Sequence, residues 1–239
     1  IIGYGSIGRV HASILSSLVD EVCVLTLQNN VPFETFKTLD QAFRGSDFDC
    51  IVIANQTSAH APTLREIVLS NFDGRVLVEK PLYDRIYEIH NLDKNKIFVA
   101  YNFRFHPALN RIKDLISNEK VLAVNAYVGQ YLPDWRPNSD YRKSYSARSS
   151  LGGGVLRDLS HELDFLTWIF GSFKKVAAIG GRLSDLNIDS DDFFSVIATG
   201  HDGVNFNINL NYLDRNAKRM VTVFTNNITI EANLKTGDI

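Results

Sequence analysis

Three stretches of this 239-residue chain combine residue types and spacings suited to chemistry. At the start, Gly3-Tyr4-Gly5-Ser6-Ile7-Gly8 has the G-x-G-x-x-G spacing that can hold a pyrophosphate. The first glycine permits a tight turn, the second lets the backbone approach the ligand, and the third allows close helix–strand packing. Backbone N–H groups and the positive helix end would hold the phosphates. Later, Val76-Leu77-Val78-Glu79-Lys80-Pro81 places two charges at the end of an apolar strand. Further on, Leu151-Gly152-Gly153-Gly154 leads into a helical pattern carrying Asp158, His161 and Asp164. Histidine titrates near neutrality, so it can take or give a proton.

Each stretch also has a plainer reading. A glycine run is often only a turn, and its place at a strand end inside a βαβ pattern is what favours a dinucleotide site. Lys80 either points into the crevice at the carboxyl ends of parallel strands or is a surface lysine before a strand-ending proline. Leu156, Leu159, Leu163, Leu166 and Phe170 form one stripe of a helix spanning 153–170 that Gly171 ends. Asp158, His161 and Asp164 share the opposite side with Phe165 and Trp168, so both faces are expected to be covered. That leaves two alternatives, a site or a His–Asp pair capping one another in a core. With no further Cys or His ligands nearby, no metal is expected.

The second strand ends Thr26-Leu27-Gln28-Asn29-Asn30. It lacks both the acid that binds the ribose 2′-hydroxyl of NAD and the basic residue that meets the phosphate of NADP. Gln28 or Asn29 can hydrogen-bond a hydroxyl, yet neither brings a charge. The cofactor expectation is therefore NAD(H) or NADP(H), leaning to NAD(H).

The elements that would position these residues fall into two textures. Up to residue 101, apolar strands at 21–27, 49–54, 75–78 and 97–101 alternate with helices at 6–18, 40–44 and 62–69, which signals a parallel sheet covered on both faces. After residue 120, longer strands run over 121–131, 175–183, 193–199, 204–212 and 219–232. Among them Asn205-Phe-Asn-Ile-Asn-Leu-Asn-Tyr212 alternates strictly, as one wet sheet face requires. Segment 132–150 reads as a long polar loop. The fold class is thus α/β: a dinucleotide-binding domain over 1–103, then an α+β domain over 104–239 with a mostly antiparallel sheet, the boundary falling within 102–120.

Composition narrows the alternatives. The formal charge is −2, from 25 basic and 27 acidic residues, with no Lys/Arg block, which argues against nucleic-acid or membrane-surface binding. No apolar run nears the roughly 20 residues of a membrane span. The two cysteines, Cys23 and Cys50, lie in apolar strands and read as buried free thiols, as a reducing cytoplasm would keep them. The first residue is Ile within a strand, so sequence is expected to precede it.

Together these motifs resemble the Gfo/Idh/MocA family of NAD(P)-dependent oxidoreductases, with Asn55-Gln56-Thr57 and His60 after the strand at 49–54 adding to the match. The resemblance implies a Rossmann domain followed by an α+β domain whose open sheet mediates homo-oligomerisation. It implies that Lys80 orients the reacting hydroxyl, that His161 accepts its proton, and that Asp158 binds substrate or holds His161. Gly3, Gly5, Ser6, Ile7, Gly8, Gln28, Asn55, Thr57, His60 and Glu79 would line the cofactor. Asn102 and Arg104 would line the substrate cleft. Two departures stand out: Asp158 and His161 are three apart where the family more often has four, and the chain is shorter than family members usually are, so a truncated C-terminus is expected.

Family substrates are mostly sugars, inositols and nucleotide sugars. The loop holding Trp135, Arg136 and Tyr141 offers aromatic faces for stacking and guanidinium for a phosphate or carboxylate, which suggests an anionic sugar derivative. A lid closing over the cofactor is the other reading of that loop. Two rival functions remain: an epimerase or eliminating enzyme that recycles its cofactor, and a non-catalytic dinucleotide-binding regulator.

Overall fold

Ile1 and Ile2 sit between two strands and hydrogen-bond to both. The Ile2 N–H donates to the Val52 carbonyl at 2.8 Å, and the Gly3 N–H donates to the Leu25 carbonyl at 3.0 Å. The computed structural model describes residues 1–239 as two units, Ile1–Ala100 and Tyr101–Ile239.

The first unit runs α1 (Ser6–Leu15), β1 (Cys23–Leu25), β2 (Glu34–Phe36), α2 (Leu39–Gly45), β3 (Cys50–Ile53), α3 (Thr57–Leu69), β4 (Arg75–Val78) and β5 (Ile97–Val99). All its ladders are parallel. Counting residues 1–2 as the first strand, the spatial order is 3-2-1-4-5-6, so the order reverses between residues 1–2 and β3. Ile2, Ile51, Ile53, Val76 and Val78 are buried with Leu64 and Ile67 of α3 in one core. Strands β1, β3 and β5 are shorter than their apolar runs suggested, β4 has the expected bounds, and β2 had no clear pattern to announce it. Helix α3 begins five residues before the expected Pro62, which it contains. Both thiols are free as expected, but Cys50 is exposed, because it opens β3 at the rim of the sheet and not in its interior.

The second unit contains α4 (Pro107–Leu115), β6 (Val121–Gly129), α5 (Val155–Asp158), α6 (His161–Phe170), β7 (Phe173–Gly181), β8 (Phe193–Gly200), β9 (Asn205–Asn211), β10 (Lys218–Thr225) and β11 (Thr229–Asn233). The six strands lie in the order β11-β10-β6-β9-β8-β7, antiparallel except for the central β6–β9 pair. The alternation in β9 is realised: Phe206, Ile208 and Leu210 face inward against a core that includes Phe165 and Leu166, while Asn205 and Asn207 are exposed. On the other face Ile179 and Ile197 are exposed. No helix is long and apolar enough to cross a membrane.

Two expectations are corrected here. The 153–170 helix is two helices, broken at Leu159 (φ −100°, ψ 27°) and Ser160, so Asp158 closes one and His161 opens the next. The break replaces the i, i+3 helical-face relation assumed for them. The 132–150 segment, expected as an open polar loop, is wound into four short 3₁₀ turns with Leu132, Ser146 and Ala147 buried.

Candidate functional site

In the first unit, the glycine run leaves the sheet at its topological reversal and starts α1. Gly3 has φ +96°, and a Cβ there would lie 2.8 Å from the Ala54 carbonyl oxygen; a Cβ on Gly8 would lie 2.2 Å from the Gly3 carbonyl oxygen. Both positions are glycine because the protein itself leaves no room. Gly5 is different. Its φ of −76° suits any residue, and a Cβ there would meet nothing within 4 Å. Protein packing therefore gives no reason for glycine at Gly5, whereas close approach of a pyrophosphate does. Ser6 and Ile7 are exposed in the first turn of α1 beside it.

Across the reversal, Asn55 donates Nδ2 to Thr63 Oγ1 at 2.9 Å, while its Oδ1 is buried without a hydrogen-bond partner. A buried acceptor of this kind is rare unless a ligand or water completes it. Thr57 begins α3 and is buried. His60 was expected to line the cofactor, but it is 1% exposed, with Nδ1 3.0 Å from the Pro81 carbonyl and Nε2 3.2 Å from the Asn55 carbonyl. Burial lowers its pKa more than these carbonyls raise it. His60 therefore braces the turn after Lys80, whose peptide to Pro81 is cis. Glu79 follows β4 and its Oε1 lies 2.7 Å from His11 Nε2, linking the strand end to α1. His11 and Arg9 were both missed by sequence reasoning. Gln28 hydrogen-bonds the Tyr4 carbonyl at 2.9 Å and Arg9 at 3.1 Å. Elsewhere Glu21, Cys23 and Glu34 gather with ligand atoms within 4.8 Å of one another, and the Cys23 thiol donates to Glu34 at 3.7 Å.

In the second unit, His161 is 8% exposed and lies in an aromatic cage. Its ring centroid is 4.8 Å from Phe103 and 5.7 Å from Tyr101, the latter edge-on at 83°. The Tyr101 hydroxyl donates to Ser160 Oγ at 3.4 Å, and burial raises its pKa. On Phe103 the Arg219 guanidinium lies 4.3 Å from the ring centroid, held by Glu162 at 2.8 Å and 3.2 Å. Asp158, 3% exposed, accepts from Tyr145 at 2.5 Å and from Tyr212 at 2.6 Å. These phenols tie Asp158 into the core, so its place is structural in a way that sequence spacing could not show.

The other expected substrate residues divide. Asn102 is exposed. Arg104 is not free to receive an anion: its guanidinium forks onto Asp164 at 2.9 Å and 2.6 Å, because α6 presents that carboxylate to the 102–105 turn. Trp135, Arg136 and Tyr141 do line one cleft, together with Tyr145 and Ser139. The Trp135 Nε1 donates to the Gln130 carbonyl at 3.1 Å and its ring meets Tyr212 edge-on, so the indole is held rigidly. The glycine triplet serves its neighbours: a Cβ on Gly154 would lie 2.3 Å from Asp191 Oδ2, whose carboxylate accepts from the Leu156 N–H and caps α5.

Comparison with known proteins adds to this geometry. The model of the GFO/IDH/MocA C-terminal domain matches residues 109–231, more than half of the chain. The inositol 2-dehydrogenase of Rhizobium meliloti strain 1021 is 25% identical over 215 residues, 82% of this chain and 62% of that protein. The levoglucosan dehydrogenase of Pseudarthrobacter phenanthrenivorans is 27% identical over 146 residues, 56% of this chain and 36% of that protein. The chain spans 36% to 62% of the lengths of the curated relatives it matches. In structure, the WlbA dehydrogenase of Bordetella pertussis, solved with NADH and UDP-GlcNAcA, superposes with a TM-score of 0.83 at 20% identity, over 97% of this chain and 72% of that one.

Proposed function

Since the chain belongs to the Gfo/Idh/MocA family, we propose that it is part of an NAD(H)-dependent oxidoreductase acting on a hydroxyl or keto group of a sugar-like substrate. The observation that carries this reading is Gly5, a glycine that neither backbone conformation nor packing demands, at the reversal point of a parallel sheet. Gly3, Gly5, Ser6, Ile7, Gly8, Gln28, Asn55 and Glu79 hold the cofactor, with Asn55 Oδ1 supplying an acceptor that the protein leaves unpaired. Bound there, nicotinamide supplies hydride transfer. His161 takes the hydroxyl proton at an imidazole nitrogen when the substrate is oxidised, and Lys80 orients the reacting oxygen through its ammonium. Tyr101 and Phe103 fix the His161 ring, and Asp158 holds Tyr145 at the wall of the Trp135–Arg136 cleft.

The cleft supports a finer substrate reading, an acidic sugar or nucleotide sugar, with Arg136 for the anion and Trp135 and Tyr141 for stacking. The nucleotide-sugar acid bound by the structurally similar WlbA is in keeping with it. The apolar residues on the outward sheet face, Ile179 and Ile197, support self-assembly through that face. The test is a fluorescence titration of the full chain with NADH, followed by a screen of sugars and nucleotide sugars for accumulation of reduced nicotinamide. Saturable binding and net accumulation support the reading. A folded sample that binds no NADH overturns it, and turnover without net accumulation redirects it to a cofactor-recycling reaction.

A further inference from the structure

The end of β1 bears on which dinucleotide the site takes. Folding brings three exposed residues from separate segments together there. The Gln28 amide spans the Tyr4 carbonyl and the Arg9 guanidinium, at 2.9 Å and 3.1 Å. Lys37, just past β2, places its ammonium 3.0 Å from the Thr26 carbonyl oxygen and 3.5 Å from that of Gln28. Arg9 also rests 5.2 Å from the centroid of the Tyr4 ring. Neither Arg9 nor Lys37 forms an ion pair with a carboxylate.

In this strand order, the end of the second strand is where the adenosine ribose is read. An acid at that point accepts from the free 2′-hydroxyl and repels a phosphate, while an arginine accommodates one. Residues 26–33, Thr-Leu-Gln-Asn-Asn-Val-Pro-Phe, contain no acid. What stands there is an amide flanked by two cations whose present partners are neutral oxygens. An amide serves a hydroxyl or a phosphate oxygen equally, and the cations gain most from a charged acceptor.

We infer that Arg9, Gln28 and Lys37 form a receptor for a 2′-phosphate, so that the site admits NADP(H) alongside NAD(H). The inference rests on the dinucleotide reading of the glycine loop. Gln28 supplies the neutral contact used with either cofactor. Arg9 and Lys37 supply the charge used only with the phosphorylated one. The signal was dispersed in sequence, since Arg9 belongs to the first turns of α1 and Lys37 follows a strand that pairs beside β1.

Calorimetric titration of the full chain with ADP-ribose and with 2′-phospho-ADP-ribose tests this without turnover. The phosphorylated probe is expected to bind at least as tightly as the plain one. Arg9→Ala combined with Lys37→Ala is expected to weaken the phosphorylated probe about tenfold or more and ADP-ribose by less than about twofold. Gln28→Asp is expected to turn the preference toward ADP-ribose by about tenfold. Arg9→Gln and Lys37→Gln, read singly, keep the test decisive should the double variant not fold. A wild-type chain that prefers ADP-ribose by about tenfold, or charge-removing variants that weaken both probes equally, overturns the inference and leaves the dinucleotide reading standing. Binding of neither probe to the folded chain overturns the dinucleotide reading, and the inference falls with it.

Discussion

The phenol of Tyr212 donates to Asp158 Oδ2 at 2.6 Å, joining the residue after β9 to the last residue of α5 inside the core of the second unit. Tyr145 donates to Oδ1 of the same carboxylate. Removing the carboxylate leaves two buried hydroxyls without their acceptor, so Asp158→Ala is expected to destabilise the fold by roughly 3 kcal/mol. Asp158→Asn, which keeps an acceptor oxygen, is expected to cost less. Urea unfolding measures both. An Asp158→Ala protein of unchanged stability that has lost only turnover would show that Asp158 belongs to the chemistry and not to the frame.

The same pair sets an alkaline limit. Burial, and then the adjacent Asp158 charge, push the Tyr145 and Tyr212 phenols well above the usual tyrosine range. Unfolded tyrosines ionise near pH 10, as the folded ones do not, so above about pH 10 the unfolded chain binds fewer protons and stability falls as pH rises. The slope is up to about 1.4 kcal/mol per pH unit for each tyrosine. Cys23, whose thiol burial also pushes up, adds to the loss from a somewhat lower pH. Urea midpoints from about pH 8 to 11 should fall less steeply in Tyr212→Phe than in the parent. Equal slopes would mean that Tyr212 titrates normally.

Gly5 and Gly8 should respond oppositely to a side chain. Gly5→Val is expected to fold with an unchanged melting temperature while NADH binding is lost, since the added atoms enter open space beside the loop. Gly8→Ala is expected to lose about 1 to 3 kcal/mol, because its Cβ would collide with the Gly3 carbonyl. Thermal melts with parallel fluorescence titrations separate the two. Undiminished NADH affinity in Gly5→Val would remove the pyrophosphate from this loop.

Lys80→Ala and His161→Ala are each expected to lower turnover by roughly 100-fold or more, with NADH affinity held within a small factor. Single-turnover rates combined with NADH titrations check this. Parent-like rates in both variants would refute their assigned roles.

Much of this frame was legible because it rests on local pattern. The glycine spacing, the apolar strands and the strict alternation of residues 205–212 each reflect contacts made within a few residues or a single sheet face. What escaped was long-range or lacked punctuation. The break at Leu159–Ser160 has no glycine or proline to announce it. The partners of Asp158 come from a 3₁₀ turn and from the end of β9, and Arg104 looked free until α6 brought Asp164 to it. Helix α4 was the exception, since Pro107 at its first turn and apolar residues at 108, 109 and 112 were readable signals.

The parallel seam between β6 and β9 has a kinetic consequence. Hairpins β7–β8, β8–β9 and β10–β11 can close between chain neighbours, but β6 must find residues as distant as Asn205 opposite Ala123 and Arg219 opposite Val128. Closing so long a loop costs entropy before any contact rewards it, and such non-local pairing slows folding. Docking of β6 between the β10–β11 hairpin and the β7–β8–β9 array is therefore expected to be the slow step in forming this sheet.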